Sequence, residues 1–220
     1  DSLKGSLTAK EASHIITQSG KRAMPYSVFR PMFISDGGES AIDLLENLNI
    51  GHRMTIQTMD PSGRIIDASY LRLNNGRTAW IELSQASGLN LLRNASRDPG
   101  RMNNFGTGVL IRHALASGID HIIVGLGGSA SNDGGAGILS AMGFQLLDSS
   151  GVMVPALGCL LHRVAYIESP RSPFHSSAKF ELALDVNNPL YGENGAAYVY
   201  APQKGAAEEQ VEELDLELRH

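Results

Sequence analysis

The sequence predicts an α/β protein, and three observations carry that prediction. Helical apolar periodicities alternate with short strand-like runs along the chain. Residues 54–83 hold three successive strand-like runs separated by tight-turn residues. A glycine-rich segment, Gly125 to Gly135, lies between a strand-like run and a helical one, where α/β proteins keep reactive loops.

Taken in order, Thr8-Ala9-Lys10-Glu11 has the form of a capping box, in which the threonine hydroxyl and the glutamate carboxylate each take a backbone N–H at a helix start. Ala12, Ile15 and Ile16 follow at helical spacing, so the pattern predicts a helix over residues 9–22. Residues 28–34 read as a short strand, weakened by Pro31. Ser35-Asp36-Gly37-Gly38-Glu39 is a loop, and Ser40 reads as the N-cap of a short helix through Leu48. The texture then changes. Met54, Ile56 and Thr58 alternate with Thr55 and Gln57, and the turn Asp60-Pro61-Ser62-Gly63 leads into a run over 64–73. Asn74-Asn75-Gly76 turns again into 78–83, which completes an antiparallel meander and puts a domain boundary near Ile50. Residues 107–117 are helical, with Thr107 as N-cap and Gly118 as stop. A strand over 121–124, the glycine-rich loop and an apolar helix through Met142 follow. Residues 179–186 and 196–200 read as further strands, and 169–177 as an exposed loop.

Composition narrows the function. The chain has 220 residues, 42% of them hydrophobic and 19% charged, which suits a soluble globular protein. A net charge of −5 argues against a nucleic-acid binder, which needs a basic face, but not against a nucleotide pocket, which needs local donors and a few cations. Cys159 is the single cysteine, and no Cys/His spacing suits zinc. The N-terminus shows no signal-peptide pattern, and no apolar run reaches the roughly 20 residues of a membrane span, so a cytoplasmic location without membrane contact is expected. The loop-like start at Asp1-Ser2-Leu3-Lys4 and the charged helical pattern over 207–218 at the end read as parts of a longer protein.

The strongest chemical signal is Gly125-Leu126-Gly127-Gly128-Ser129-Ala130-Ser131-Asn132-Asp133-Gly134-Gly135. Glycines let backbone N–H groups approach an anion, and Ser129, Ser131 and Asn132 add side-chain donors. Asp133 would repel phosphate unless it holds a metal ion or accepts a proton, a combination that fits phosphoryl transfer. On that role, Asp133→Asn is expected to cut turnover severely and leave the fold intact. Neither a Walker A motif nor the dinucleotide fingerprint is present. Asp36 and Glu39 place two carboxylates ahead of a helix, although spacing alone also allows a solvated turn. Asp185-Val186-Asn187-Asn188-Pro189 puts a carboxylate at a strand end, or equally an Asx turn. Lys204, in Pro202-Gln203-Lys204-Gly205, can neutralise a transferring phosphate or stand on the surface.

Together and in this order, the segments 1–6, 36–39, 86–89, 106–108, 125–135, 185–192 and 202–206 resemble the bacterial glycerate kinase family. The resemblance implies two α/β domains. One is Rossmann-like, built from both chain ends and partly present here as residues 1–50; the other is an inserted mixed α/β domain, residues 51–220. It implies ATP, Mg2+ and D-glycerate, with a phosphoglycerate as product. It also implies Asp133, Asp185, Lys204 and Lys4 as catalytic residues, the first two as magnesium ligands. Gly127, Gly128, Ser129, Ser131, Asn132, Asp36 and Ser2 would then bind phosphate or substrate. Ser40 and Val109 depart from the family's usual glycine and glutamate. A kinase of another small hydroxy acid, or a catalytically impaired nucleotide-binding fragment, are the alternative readings.

Overall fold

A computed structural model describes residues 6–32, 34–35, 39–92, 97–171 and 177–220. Helix α1 spans Ala9–Ala23 and opens with the capping box: Glu11 N–H donates to Thr8 Oγ1 at 3.2 Å, and Thr8 N–H to Glu11 Oε2 at 2.8 Å. The described part of 28–34 contains no strand; Val28, Met32 and Ile34 are exposed and Phe29 is half-buried, which corrects the strand expected there. Pro31 removes one ladder donor from that run, and among the described residues no strand pairs with it.

Helix α2 (Ala41–Asn47) leads into β1 (Gly51–Met59), β2 (Ile65–Leu73) and β3 (Thr78–Glu82), the expected antiparallel meander. Asp60 fixes its first turn, accepting the Ser62 and Arg64 amides at 2.9 and 3.0 Å. After α3 (Ser84–Ser87), α4 (Phe105–Ala116) crosses back to β4 (His121–Gly125), which pairs with β3 in parallel. Then come α5 (Ala136–Ala141), the antiparallel pair β5 (Gln145–Leu147) and β6 (Tyr166–Glu168), and β7 (Lys179–Ala183), parallel to β4. The result is a mixed five-stranded sheet in the order β1-β2-β3-β4-β7.

One face of the sheet buries Tyr70, Ala79, Ile81, Ile122 and Val124 against Leu110, Ile111 and Leu115 of α4. Burying aliphatic side chains of this kind contributes about 1.5–3 kcal/mol each. Arg53 and Glu82 belong to the other face, where α2 packs: Arg53 Nη2 meets Asp43 at 2.5 Å and Glu46 at 2.8 Å, and Glu82 accepts the Ile42 amide.

Residues 196–200 form helix α6 (Ala196–Tyr200), not the strand expected. Ala197 and Ala201 lie one helical turn apart and pack on Val211 and Leu214 of α7 (Glu208–Arg219), so a tertiary contact overrides the strand preference of Tyr and Val. Thr107 is not an N-cap either. Asn104 holds that position, and Thr107 is buried inside α4 with its hydroxyl 2.7 Å from Ser87 Oγ. Among the described residues no helix is long and apolar enough to cross a membrane.

Candidate functional site

Strands β3, β4 and β7 run parallel, with Glu82 opposite Gly125 and Gly125 opposite Ala183, so their carboxyl ends lie level at one edge of the sheet. Two further bonds, Leu83 N–H to Gly125 O at 3.0 Å and Leu126 N–H to Ala183 O at 3.1 Å, carry the alignment into the loops. Ligands of parallel sheets bind at such ends.

The glycine-rich loop is stitched to the segment after α3. Leu89 N–H donates to Gly128 O at 2.8 Å, and Ala130 N–H donates to Ser87 O at 2.9 Å. Asn132 N–H is held by Pro99 O at 2.9 Å, and Ser131 N–H by Ser129 Oγ at 3.3 Å. Among the described residues, no hydrogen bond takes up the amides of Gly127, Gly128 and Ser129. Three successive unclaimed N–H groups are the raw material of an anion cradle. Gly128 has φ 72, and a Cβ there would stand 2.8 Å from Glu39 Oε1, so the missing side chain lets Glu39 lie against the loop.

Asp133 is 1% exposed, and its carboxylate accepts five donors: Asn104 N and Nδ2, Ser131 Oγ, and the amides of Gly135 and Gly137, at 2.8–3.2 Å. One acid thus ties together the starts of α4 and α5. Gly137 permits the approach, since a Cβ there would sit 2.6 Å from Asn104 N. The amides at the start of α5 therefore serve Asp133. Ser131 Oγ also donates toward Asn104 Oδ1 at 2.7 Å, so its one hydroxyl proton points inward. Asn132 Nδ2 is buried and has no hydrogen-bond partner among the described residues.

Lys204 follows α6 in a short turn and sends Nζ to Ser131 O at 2.6 Å. Burial pulls its pKa down to about 8, with the Asp133 charge acting in the opposite sense. Asp185 is exposed, two residues beyond the end of β7.

The structure thus gathers Gly127, Gly128, Ser129, Ser131, Asn132, Asp133 and Lys204 into one region, with Asp185 on the neighbouring strand end. Ser2, Lys4 and Asp36 lie outside the described residues. Sequence reasoning missed Asn104, although an asparagine just ahead of a helical run is itself an N-cap signal. It also missed Glu82, a buried carboxyl pushed up by desolvation against the pull of its backbone donors on α2. Among the described residues, no three His, Cys, Asp or Glu side chains form a metal cage. Magnesium tolerates this, because it takes one or two carboxylates and completes its shell with phosphate and water oxygens.

A model of the Glycerate kinase family matches residues 1–220. A glycerate kinase of Halalkalibacterium halodurans is 39% identical over 221 residues, covering 100% of this chain and 58% of that protein. The glycerate 2-kinase of Escherichia coli K12 is 38% identical with the same coverage. A crystal structure from Salmonella typhimurium LT2, described as a candidate glycerate kinase 2, superposes with a TM-score of 0.81 at 39% identity, covering 100% of this chain and 59% of that one. The chain therefore spans about 58% of the length of the curated relatives it matches.

Proposed function

Since this chain belongs to the glycerate kinase family, we propose that it carries substrate loops of an enzyme that moves the γ-phosphoryl group of ATP to a hydroxyl of D-glycerate, giving a phosphoglycerate. The observation that carries this reading is the run of three unclaimed amides at Gly127, Gly128 and Ser129, at the level carboxyl ends of parallel strands.

In this reading the three amides and the Ser129 hydroxyl receive phosphate oxygens. Lys204 adds positive charge behind the loop, and the exposed Asp185 carboxylate is available to Mg2+. Bound ATP would supply the phosphoryl group and magnesium would spread its charge; the chain's own part is positioning and charge neutralisation. The five donors on Asp133 suit an organiser of the loop better than an acid open to metal or proton. Ser131 belongs with Asp133 for the same reason, and Asn132 Nδ2, buried without a partner among the described residues, would reach substrate only if the loop shifts to uncover it. Ser2, Lys4 and Asp36 keep the roles that the resemblance implies. We further place residues 1–50 in a Rossmann-like domain and 51–220 in the inserted domain.

The test is a coupled ADP-release assay of the full-length protein with ATP, magnesium and D-glycerate, with lactate and tartronate as controls. ADP release dependent on D-glycerate is expected. Equal turnover with lactate or tartronate overturns the acceptor, and no ADP release with any of the three overturns the kinase reading.

A further inference from the structure

Glu82 ends β3 and is 1% exposed, on the sheet face that α2 covers. Its Oε1 accepts the Ile42 N–H at 2.6 Å, and its Oε2 accepts the Gln85 side-chain amide at 3.3 Å. Ile42 is the second residue of α2, so this is a helix cap supplied from 40 positions along the chain. The local candidate does not serve: Ser40 has φ 65 and makes no side-chain cap bond. A buried carboxylate needs donors, and a helix start offers unsatisfied N–H groups; here each meets the other's need.

This grip sits where two parts of the site meet. Glu82 is opposite Gly125, which ends β4 and opens the glycine-rich loop. Glu39, just ahead of α2, reaches Gly128 within that loop. Among the described residues, the other polar anchors of α2 are its own Asp43 and Glu46, through Arg53 of β1. The start of the helix thus depends on Glu82, and its later part on Arg53. We propose that Glu82 is a positioning residue: by holding the start of α2 it fixes the Glu39 carboxylate against Gly128 at the glycine-rich loop. The proposal rests on the reading of that loop as substrate-facing. It assigns to Glu82 no contact with substrate.

The experiment uses the full-length protein with Glu82→Ala, Glu82→Gln, Glu39→Gln and the double variant Glu39→Gln/Glu82→Ala. Hydrogen exchange reads the grip directly. In Glu82→Ala the amides of Ala41 and Ile42 should exchange about ten-fold faster or more, as loss of a bond to a charged acceptor implies, while those of Tyr70 and Ile81 stay unchanged. Glu82→Gln keeps an acceptor oxygen and should restore most of the protection. Kinetics with ATP and D-glycerate read the consequence. Glu82→Ala and Glu39→Gln should change kcat/KM in the same direction, and the double variant should be no worse than the worse single. Unchanged exchange at Ile42, or effects that multiply in the double variant, overturns the proposal. If Glu82→Ala does not fold, the double variant Glu39→Gln/Glu82→Gln supplies the cycle. An inactive parent refutes the kinase reading, while the exchange measurement still decides whether Glu82 holds α2.

Discussion

The Asp133 carboxylate accepts both the backbone N–H of Asn104 at 2.9 Å and its side-chain amide at 2.8 Å, so a single buried acid orients the residue that begins α4. Three more donors on the same carboxylate come from its own loop and from the start of α5. Asp133→Asn puts an amide group where donors already converge. The variant is expected to lose about 2–4 kcal/mol of stability, in the range for breaking a buried charged hydrogen-bond set, rather than to leave the fold intact. Urea unfolding checks this, with a lower midpoint at unchanged slope as the expected result.

Lys204 gives a pH dependence with a defined sign. Its folded pKa is about 8, below the ordinary 10.5, so the folded chain releases a proton that the unfolded chain retains between those values. The group therefore opposes folding below pH 8, and that penalty fades as pH rises from 8 to 10.5. Lys204→Met should abolish this rise when stability is measured across the window. If the ammonium serves the phosphate, turnover falls as pH passes 8, and Lys204→Arg removes that limb of the profile.

Glu82 behaves in the opposite sense. Burial raises its carboxyl above the ordinary 4.5, so the folded state holds the proton to higher pH than the unfolded state. The resulting contribution to stability is complete below pH 4.5 and is lost as pH rises through the folded value. Unfolding of the parent and Glu82→Gln should therefore differ most in the parent's favour in acid, with the gap narrowing toward neutrality.

Ser40 sits in a strained backbone conformation. Its φ of 65 lies in the left-handed region, which costs a non-glycine residue about 1–2 kcal/mol. Ser40→Gly should be neutral to stabilising, because strain relief and unfolded-chain entropy oppose each other. Ser40→Val should be destabilised by about 1–2 kcal/mol, and thermal unfolding of the pair should move in opposite directions or diverge.

The parts of the fold visible in the sequence are those fixed by near neighbours. The turns at Asp60-Pro61-Ser62-Gly63 and Asn74-Asn75-Gly76 announced the meander, and Thr8 with Glu11 announced α1. What escaped depends on distant partners. Parallel pairing of β3, β4 and β7 joins residues with no shared local pattern. Residues 196–200 become a helix because Ala197 and Ala201 meet α7, which five residues cannot reveal. The glycine-rich loop was legible as a loop between a strand and a helix because five glycines cluster within residues 125–135. The inward turn of the Ser131 hydroxyl was not, because Asn104 lies 27 positions away. Glu82 looked like one more strand residue, since its partner Ile42 precedes it by 40.

The two bonds that stitch Ser87 and Leu89 to Ala130 and Gly128 have an evolutionary consequence. A residue inserted into or deleted from either segment would break register in both, so their lengths must be inherited together. A one-residue insertion in either stitched segment should therefore cost more stability than the same insertion in the exposed stretch after β7.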